Sequence, residues 1–199
     1  MQGIFSFIVE PKESRYTNIK ETKNGKLILN TELQNYQYVS RHGIVKAIPL
    51  AKETLIQVGD EVIVHHNVFR RFHDIRGVEK NSRAYYDEKT YIVEDDQIFL
   101  YKHNGKWTAP TGYCFIKPLV SKDIFTTDNE IPSIGIVKYA DESLLKNDIK
   151  ADSLVGFKLG SEYEFIIEGQ RLYRVPTNLI TIKYERKGDE EEYNPTWVE

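Results

Sequence analysis

Apolar residues in this chain fall into short runs separated by polar stretches, and no run sustains a helical period. Residues 4–9 are rich in β-branched and aromatic side chains and lead to Pro11, which has no N–H to give a sheet ladder. The same kind of run covers residues 43–48, stopped by Pro49, and residues 62–66, preceded by the turn Val58-Gly59-Asp60-Glu61. Residues 91–93 and 98–101 flank a polar turn at Glu94-Asp95-Asp96, and Asn104-Gly105 is a strong hairpin dipeptide. Later strands are predicted over 134–139, 154–158, 164–167, 172–175 and 179–184, with Glu168-Gly169 as a turn. Residues 51–57 offer one helical turn at most. Short strands punctuated by turns every ~8–12 residues predict an all-β chain of small barrels or sandwiches.

Two long polar stretches interrupt the strands. The first, residues 12–41, contains one aliphatic island, Gly25-Lys26-Leu27-Ile28-Leu29. Loops of this length inside a compact domain usually have a function or lack fixed structure. The island reads either as an added hairpin strand or as an exposed binding element. The second stretch, residues 67–89, sets Arg70, Arg71, Arg76, Lys80 and Arg83 among aromatic and acidic residues.

The strand pattern occurs twice. Gly43-Ile44-Val45-Lys46 returns unchanged as Gly135-Ile136-Val137-Lys138. Upstream, Phe7-Ile8-Val9-Glu10-Pro11 is echoed by Phe115-Ile116-Lys117-Pro118 with one residue dropped. Downstream, residues 56–64 stand opposite residues 149–157, and Tyr91, Val93 and Ile98 match Tyr173, Val175 and Ile180 with the same spacing. Four blocks in one order indicate a duplicated small domain. The expected units are residues 1–110 and 111–184, followed by a solvated acidic tail over 185–199.

Composition narrows the function classes. An apolar fraction of 40% and a charged fraction of 29% are ordinary for a soluble globular chain. No apolar run has the length of a membrane span, and the start carries no signal-peptide pattern. A single cysteine, Cys114, leaves no partner for an internal disulfide and fits a reducing cytoplasm. The net charge of −3 gives no reason to expect nucleic acid as a partner. The basic stretch over 67–89 also holds Asp74, Glu79, Asp87 and Glu88, so it reads as a solvated excursion.

The block order resembles the GroES-type co-chaperonins. In the first unit Gly43-Ile44-Val45, Val58-Gly59-Asp60-Glu61-Val62 and Tyr91-Ile92-Val93 through Ile98 carry the resemblance. In the second it rests on Gly135-Ile136-Val137, Leu154-Val155 and Leu172-Tyr173-Arg174-Val175 through Ile180. A tandem arrangement is similar to the double-domain co-chaperonins of plastids, and divergent bacteriophage co-chaperonins are a second match. The resemblance implies two tandem GroES-like small β-barrels, a mobile loop over 12–41 and a roof-like excursion over 67–89. It implies a homo-oligomeric ring in the cytoplasm that caps a chaperonin ring and assists protein folding. Gly25, Leu27, Ile28 and Leu29 correspond to the family's chaperonin-binding segment. The second unit's loop offers only Ile124-Phe125 and Ile131-Pro132, and Asp152-Ser153 replaces Gly59-Asp60. The other reading is a structural β-barrel component of an assembly or virion.

No residue pattern for catalysis, a metal or a cofactor is expected. Side chains adjacent on a strand point to opposite faces, so His65 and His66 are not expected to share an ion. Cys114 falls in a predicted strand without a histidine nearby in sequence and reads as a buried structural thiol.

Overall fold

The computed structural model describes residues 1–16, 39–122 and 129–194, and the backbone alone of 19–22 and 25–28. The described chain is nearly all β, and it divides into two compact units, Met1–Trp107 and Thr108–Glu199. In the first, β1 (Phe7–Pro11) is followed by a hairpin of β2 (Ile19–Thr22) and β3 (Gly25–Ile28). Next come β4 (His42–Ala47), β5 (Glu61–Val64), and a second hairpin of β6 (Arg71–His73) and β7 (Glu79–Asn81). β8 (Tyr85–Asp87), β9 (Thr90–Val93), a 3-10 turn (Asp95–Gln97), β10 (Ile98–His103) and β11 (Lys106–Thr108) follow. Seven of these strands form one sheet in the order β11-β10-β5-β4-β1-β9-β8, while each hairpin is a two-stranded sheet of its own.

The second unit contains β12 (Tyr113–Val120), β13 (Glu130–Tyr139), a helix α1 (Glu142–Lys146), β14 (Leu154–Phe157), β15 (Tyr163–Ile167), β16 (Gln170–Pro176), a 3-10 turn (Thr177–Leu179) and β17 (Ile180–Tyr184). Its sheet order is β15-β16-β12-β13-β14-β17. Read from the other side, this is the order of the first unit without β11.

The registers agree residue by residue. Val9 faces Val45 and Pro11 faces Gly43, as Ile116 faces Val137 and Pro118 faces Gly135. A register shift precedes Val9 in one unit and Ile116 in the other. Tyr91 lies opposite Val9 and Tyr173 opposite Ile116; Ile98 faces Val64 and Ile180 faces Phe157. One detail of the sequence alignment changes. Ile8 pairs with Ala47 as Phe115 pairs with Tyr139, so Phe115 corresponds to Ile8, and Cys114 to Phe7. No residue is dropped. The shared phenylalanines misled because both positions are buried and accept either side chain.

The same alternation fills both interiors. Val9, Val45, Val62, Tyr91, Val93 and Ile98 lie in the first core. Their counterparts Ile116, Val137, Val155, Tyr173, Val175 and Ile180 lie in or against the second. Each fully buried aliphatic or aromatic side chain contributes about 1.5–3 kcal/mol by leaving water. The units differ in their connections. Among the described residues the β6–β7 hairpin has no counterpart in the second unit, and α1 has none in the first. Asp141 starts α1 by accepting from the Leu144 N–H at 3.0 Å, an N-cap in the usual pattern.

The acidic tail is not simply solvated. Glu192 bridges to Leu119, the Val120 N–H donates to the Glu191 carbonyl, and the Tyr193 N–H donates to the Pro118 carbonyl. Asn194 accepts from the Arg171 N–H and donates to the Gly169 carbonyl. Beyond Ile116, β12 no longer pairs with β16, and this segment supplies backbone partners along that stretch. Lys117, buried on β12, meets the Glu192 carboxylate there.

Candidate partner-binding loop

The long connection between β1 and β4 starts from a tied base. The Lys12 N–H donates to the His42 carbonyl at 2.9 Å, the Ser40 N–H donates to the Arg15 carbonyl at 2.9 Å, and Tyr16 bridges to Val39. At the mouth, Glu61 accepts from Lys12 at 2.9 Å and from His42 at 2.8 Å. Burial pushes the Glu61 carboxyl up, but those two donors outweigh it and hold the group below its ordinary value.

Arg15 then fastens this base to the β6–β7 excursion. Its Nε donates to the Phe69 carbonyl at 3.2 Å and its Nη2 to Asn81 Oδ1 at 2.8 Å. Its guanidinium lies 5.3 Å from the centre of the Tyr85 ring and 5.6 Å from that of Tyr91. Tyr16 completes the clasp: its hydroxyl accepts from the Arg71 N–H at 2.7 Å, and the Arg71 guanidinium lies 5.1 Å from its ring centre. Such cation–π contacts contribute about 0.5–2 kcal/mol, more as water is excluded. Burial pushes the Tyr91 phenol up to about 12, with the Arg15 charge opposing it. None of these contacts is encoded in a local sequence pattern, because they join residues far apart in the chain. The only local signal was an Arg-Tyr pair at the start of a polar stretch.

Above the base, β2 and β3 pair Ile19 with Ile28, Lys20 with Leu27, Glu21 with Lys26 and Thr22 with Gly25. Gly25, Leu27 and Ile28 therefore belong to one strand, and Leu29 lies outside the described residues. In the second unit the shorter loop is tied at its base by the Ser121 N–H, which donates to the Asn129 carbonyl at 2.9 Å. The candidate residues Ile124 and Phe125 lie outside the described residues, while Ile131 and Pro132 belong to β13.

The other chemistry-bearing side chains are arranged as follows. The β5 strand ends at Val64, so His65 and His66 are not strand neighbours on opposed faces; their ring centres lie 4.2 Å apart. Burial, reinforced by the nearby His65, Arg41 and Arg70, pushes His66 down to about 4. Among the described residues no three His, Cys, Asp or Glu side chains gather as metal ligands. Cys114 is buried in β12, its thiol donates to the Val175 carbonyl at 3.5 Å, and burial pushes it up to about 12. No helix among the described residues is long and apolar enough to cross a membrane. No family model matches the chain, and no curated protein matches it either.

Proposed function

We propose that this protein is a co-chaperonin of the GroES type, which caps a chaperonin ring and docks through the loop between β1 and β4. The observation that carries this reading is the hairpin of β2 and β3. It holds Gly25, Leu27 and Ile28 in a two-stranded sheet separate from the main one, above the Tyr16–Val39 bridge. The family resemblance assigns its docking loop to this connection. Function here is binding rather than catalysis: Leu27, Ile28 and Leu29 enter an apolar groove on the chaperonin rim, and the partner hydrolyses nucleotide. Burying three such side chains contributes roughly 4–8 kcal/mol before the cost of ordering the loop. Many weak contacts around a ring then add through avidity.

The reading also needs a homo-oligomer. One edge of the second sheet suits that role: among the described strands β17 pairs with β14 alone, and Ile182 and Tyr184 on it are exposed. The test is size-exclusion chromatography of the full chain with a GroEL-type chaperonin ring and nucleotide. Co-elution that depends on nucleotide is expected. An oligomer that never joins the ring would favour a structural assembly or virion component instead.

A further inference from the structure

The second excursion carries a surface that the proposed lid function does not use. In the β6–β7 hairpin Arg71 pairs with Asn81, Phe72 with Lys80 and His73 with Glu79. Side chains alternate across a strand, so these pairs define two faces. One face is occupied: Asn81 accepts from Arg15, and Arg71 packs on Tyr16 and pairs with Glu79 at 3.0 Å. The hairpin's Glu79 is thereby spent on the inner face.

The other face presents Phe72 and Val78, both exposed, next to the exposed Lys80 and the half-buried Arg70. Asp74 also falls on this side, but its carboxylate turns into the tip, where it accepts from the N–H groups of Arg76 at 2.9 Å and Val78 at 3.0 Å. Those two bonds hold the Asp74 carboxyl below its ordinary value. The Gly77 N–H donates to the Asp74 carbonyl, and Gly77 adopts φ +75°, which closes the tip tightly. Ile75 is left at the apex, fully exposed, with Arg76 beside it. A built loop thus holds an aliphatic side chain out in water.

From this surface we infer that the tip of the β6–β7 hairpin docks on an anionic membrane surface, with Ile75, Phe72 and Val78 entering the interface and Arg70, Arg76 and Lys80 at the level of the head groups. The shape decides between anionic partners. A convex tip buries little area against an extended acidic peptide, whereas a fluid bilayer closes around it. A single strand of nucleic acid gains from planar stacking platforms, and the apex here is aliphatic. Cations near an anionic leaflet add to the apolar contact, and long side chains can keep their charges in water while their stems lie against lipid.

The test is co-sedimentation of the full chain with vesicles of phosphatidylcholine, with and without one-third phosphatidylserine. Binding is expected to the anionic vesicles only, and Ile75→Asp should weaken it by about tenfold, as should Arg76→Ser with Lys80→Ser. Thermal stability of each variant, measured in parallel, reports folding; these positions are exposed and should leave it unchanged. No binding to anionic vesicles, or equal binding by the folded variants, overturns the inference. Preferential binding of a poly-glutamate peptide or a single-stranded oligonucleotide overturns it as well. The vesicle assay contains no chaperonin, so its failure is distinct from a failure of the lid function.

Discussion

Gly59 and Asp152 occupy the same position in the turns of the two units, and both have positive φ, 94° and 70°. The Gly59 N–H donates to the Val45 carbonyl at 2.8 Å, and the Asp152 N–H to the Val137 carbonyl at 2.8 Å. Even the supporting side chain is replaced in kind. The Gln57 N–H donates to the Asp60 carboxylate at 2.8 Å, and the Lys150 N–H donates to the Ser153 hydroxyl at 3.1 Å. Glycine enters this backbone region without steric cost, whereas a residue with a Cβ, such as Asp152, is strained in it. Gly59→Ala should therefore lower stability by about 1–2 kcal/mol, while Asp152→Gly should raise it by at most about 0.5 kcal/mol, the relieved backbone being offset by the loss of a carboxylate 3.7 Å from Lys117. Urea denaturation of the two variants checks both signs.

The repeated Gly-Ile-Val-Lys begins with glycine for a different reason. A Cβ on Gly43 would overlap the Val9 side chain, and one on Gly135 would meet the Lys117 carbonyl and the Ile116 side chain. Both glycines stand opposite a proline in register, where the two strands approach closely. Gly43→Ala and Gly135→Ala should each cost about 1–3 kcal/mol by overpacking. Equilibrium unfolding that matches wild type at either position would refute the shared constraint.

Lys117 depends on the chain's far end. Its side chain is only 8% exposed, with Glu192 paired to it and Asp152 at 3.7 Å. Removing residues 188–199 leaves this cation without its nearer carboxylate and exposes the seam beside β12. A loss of about 1–3 kcal/mol is expected, tempered because Glu192 is itself partly exposed. Lys117→Met in the shortened chain should restore much of the loss. Chemical denaturation of the three proteins decides it, and a truncation without effect would contradict the docked tail.

Stability should also fall at both ends of the pH range. His66 is pushed down to about 4 in the folded chain from an ordinary 6.5, so unfolding takes up a proton between those values. Its contribution is present above about pH 6.5 and is lost as pH falls toward 4. Cys114 is shifted the other way, from 9 to about 12, so its contribution holds below pH 9 and is lost as pH rises toward 12. In Tm measured against pH, His66→Gln should flatten the acid limb and Cys114→Ala the alkaline one. Unchanged limbs would show that other groups set them.

Much of this architecture was legible in the sequence because it is encoded locally and twice. Val9, Val45, Val93 and Ile98 alternate inward, and their counterparts repeat the spacing, so strands and register follow from a two-residue period. What escaped depends on distant partners or on weak local signals. Helix α1 is five residues long, too short to show a period, and its one cue was the capping Asp141. The docking of Glu192 on Lys117 and of Arg15 on Asn81 joins segments that no local pattern connects. Within the candidate loop, the aliphatic island was legible as an added hairpin strand, one of its two readings, whereas its partners Ile19 and Lys20 carried no local signal.

The most direct test replaces Leu27, Ile28 and Leu29 together by Ser and measures two quantities: Tm, and affinity for a nucleotide-loaded GroEL-type ring. A docking segment predicts binding at least about a hundredfold weaker, since the buried aliphatic surface is lost. It predicts a Tm within roughly 2 °C of wild type, because exposed side chains contribute little to folding. Binding retained while Tm falls steeply would mean that these side chains fill the protein's own core, and would contradict the co-chaperonin reading.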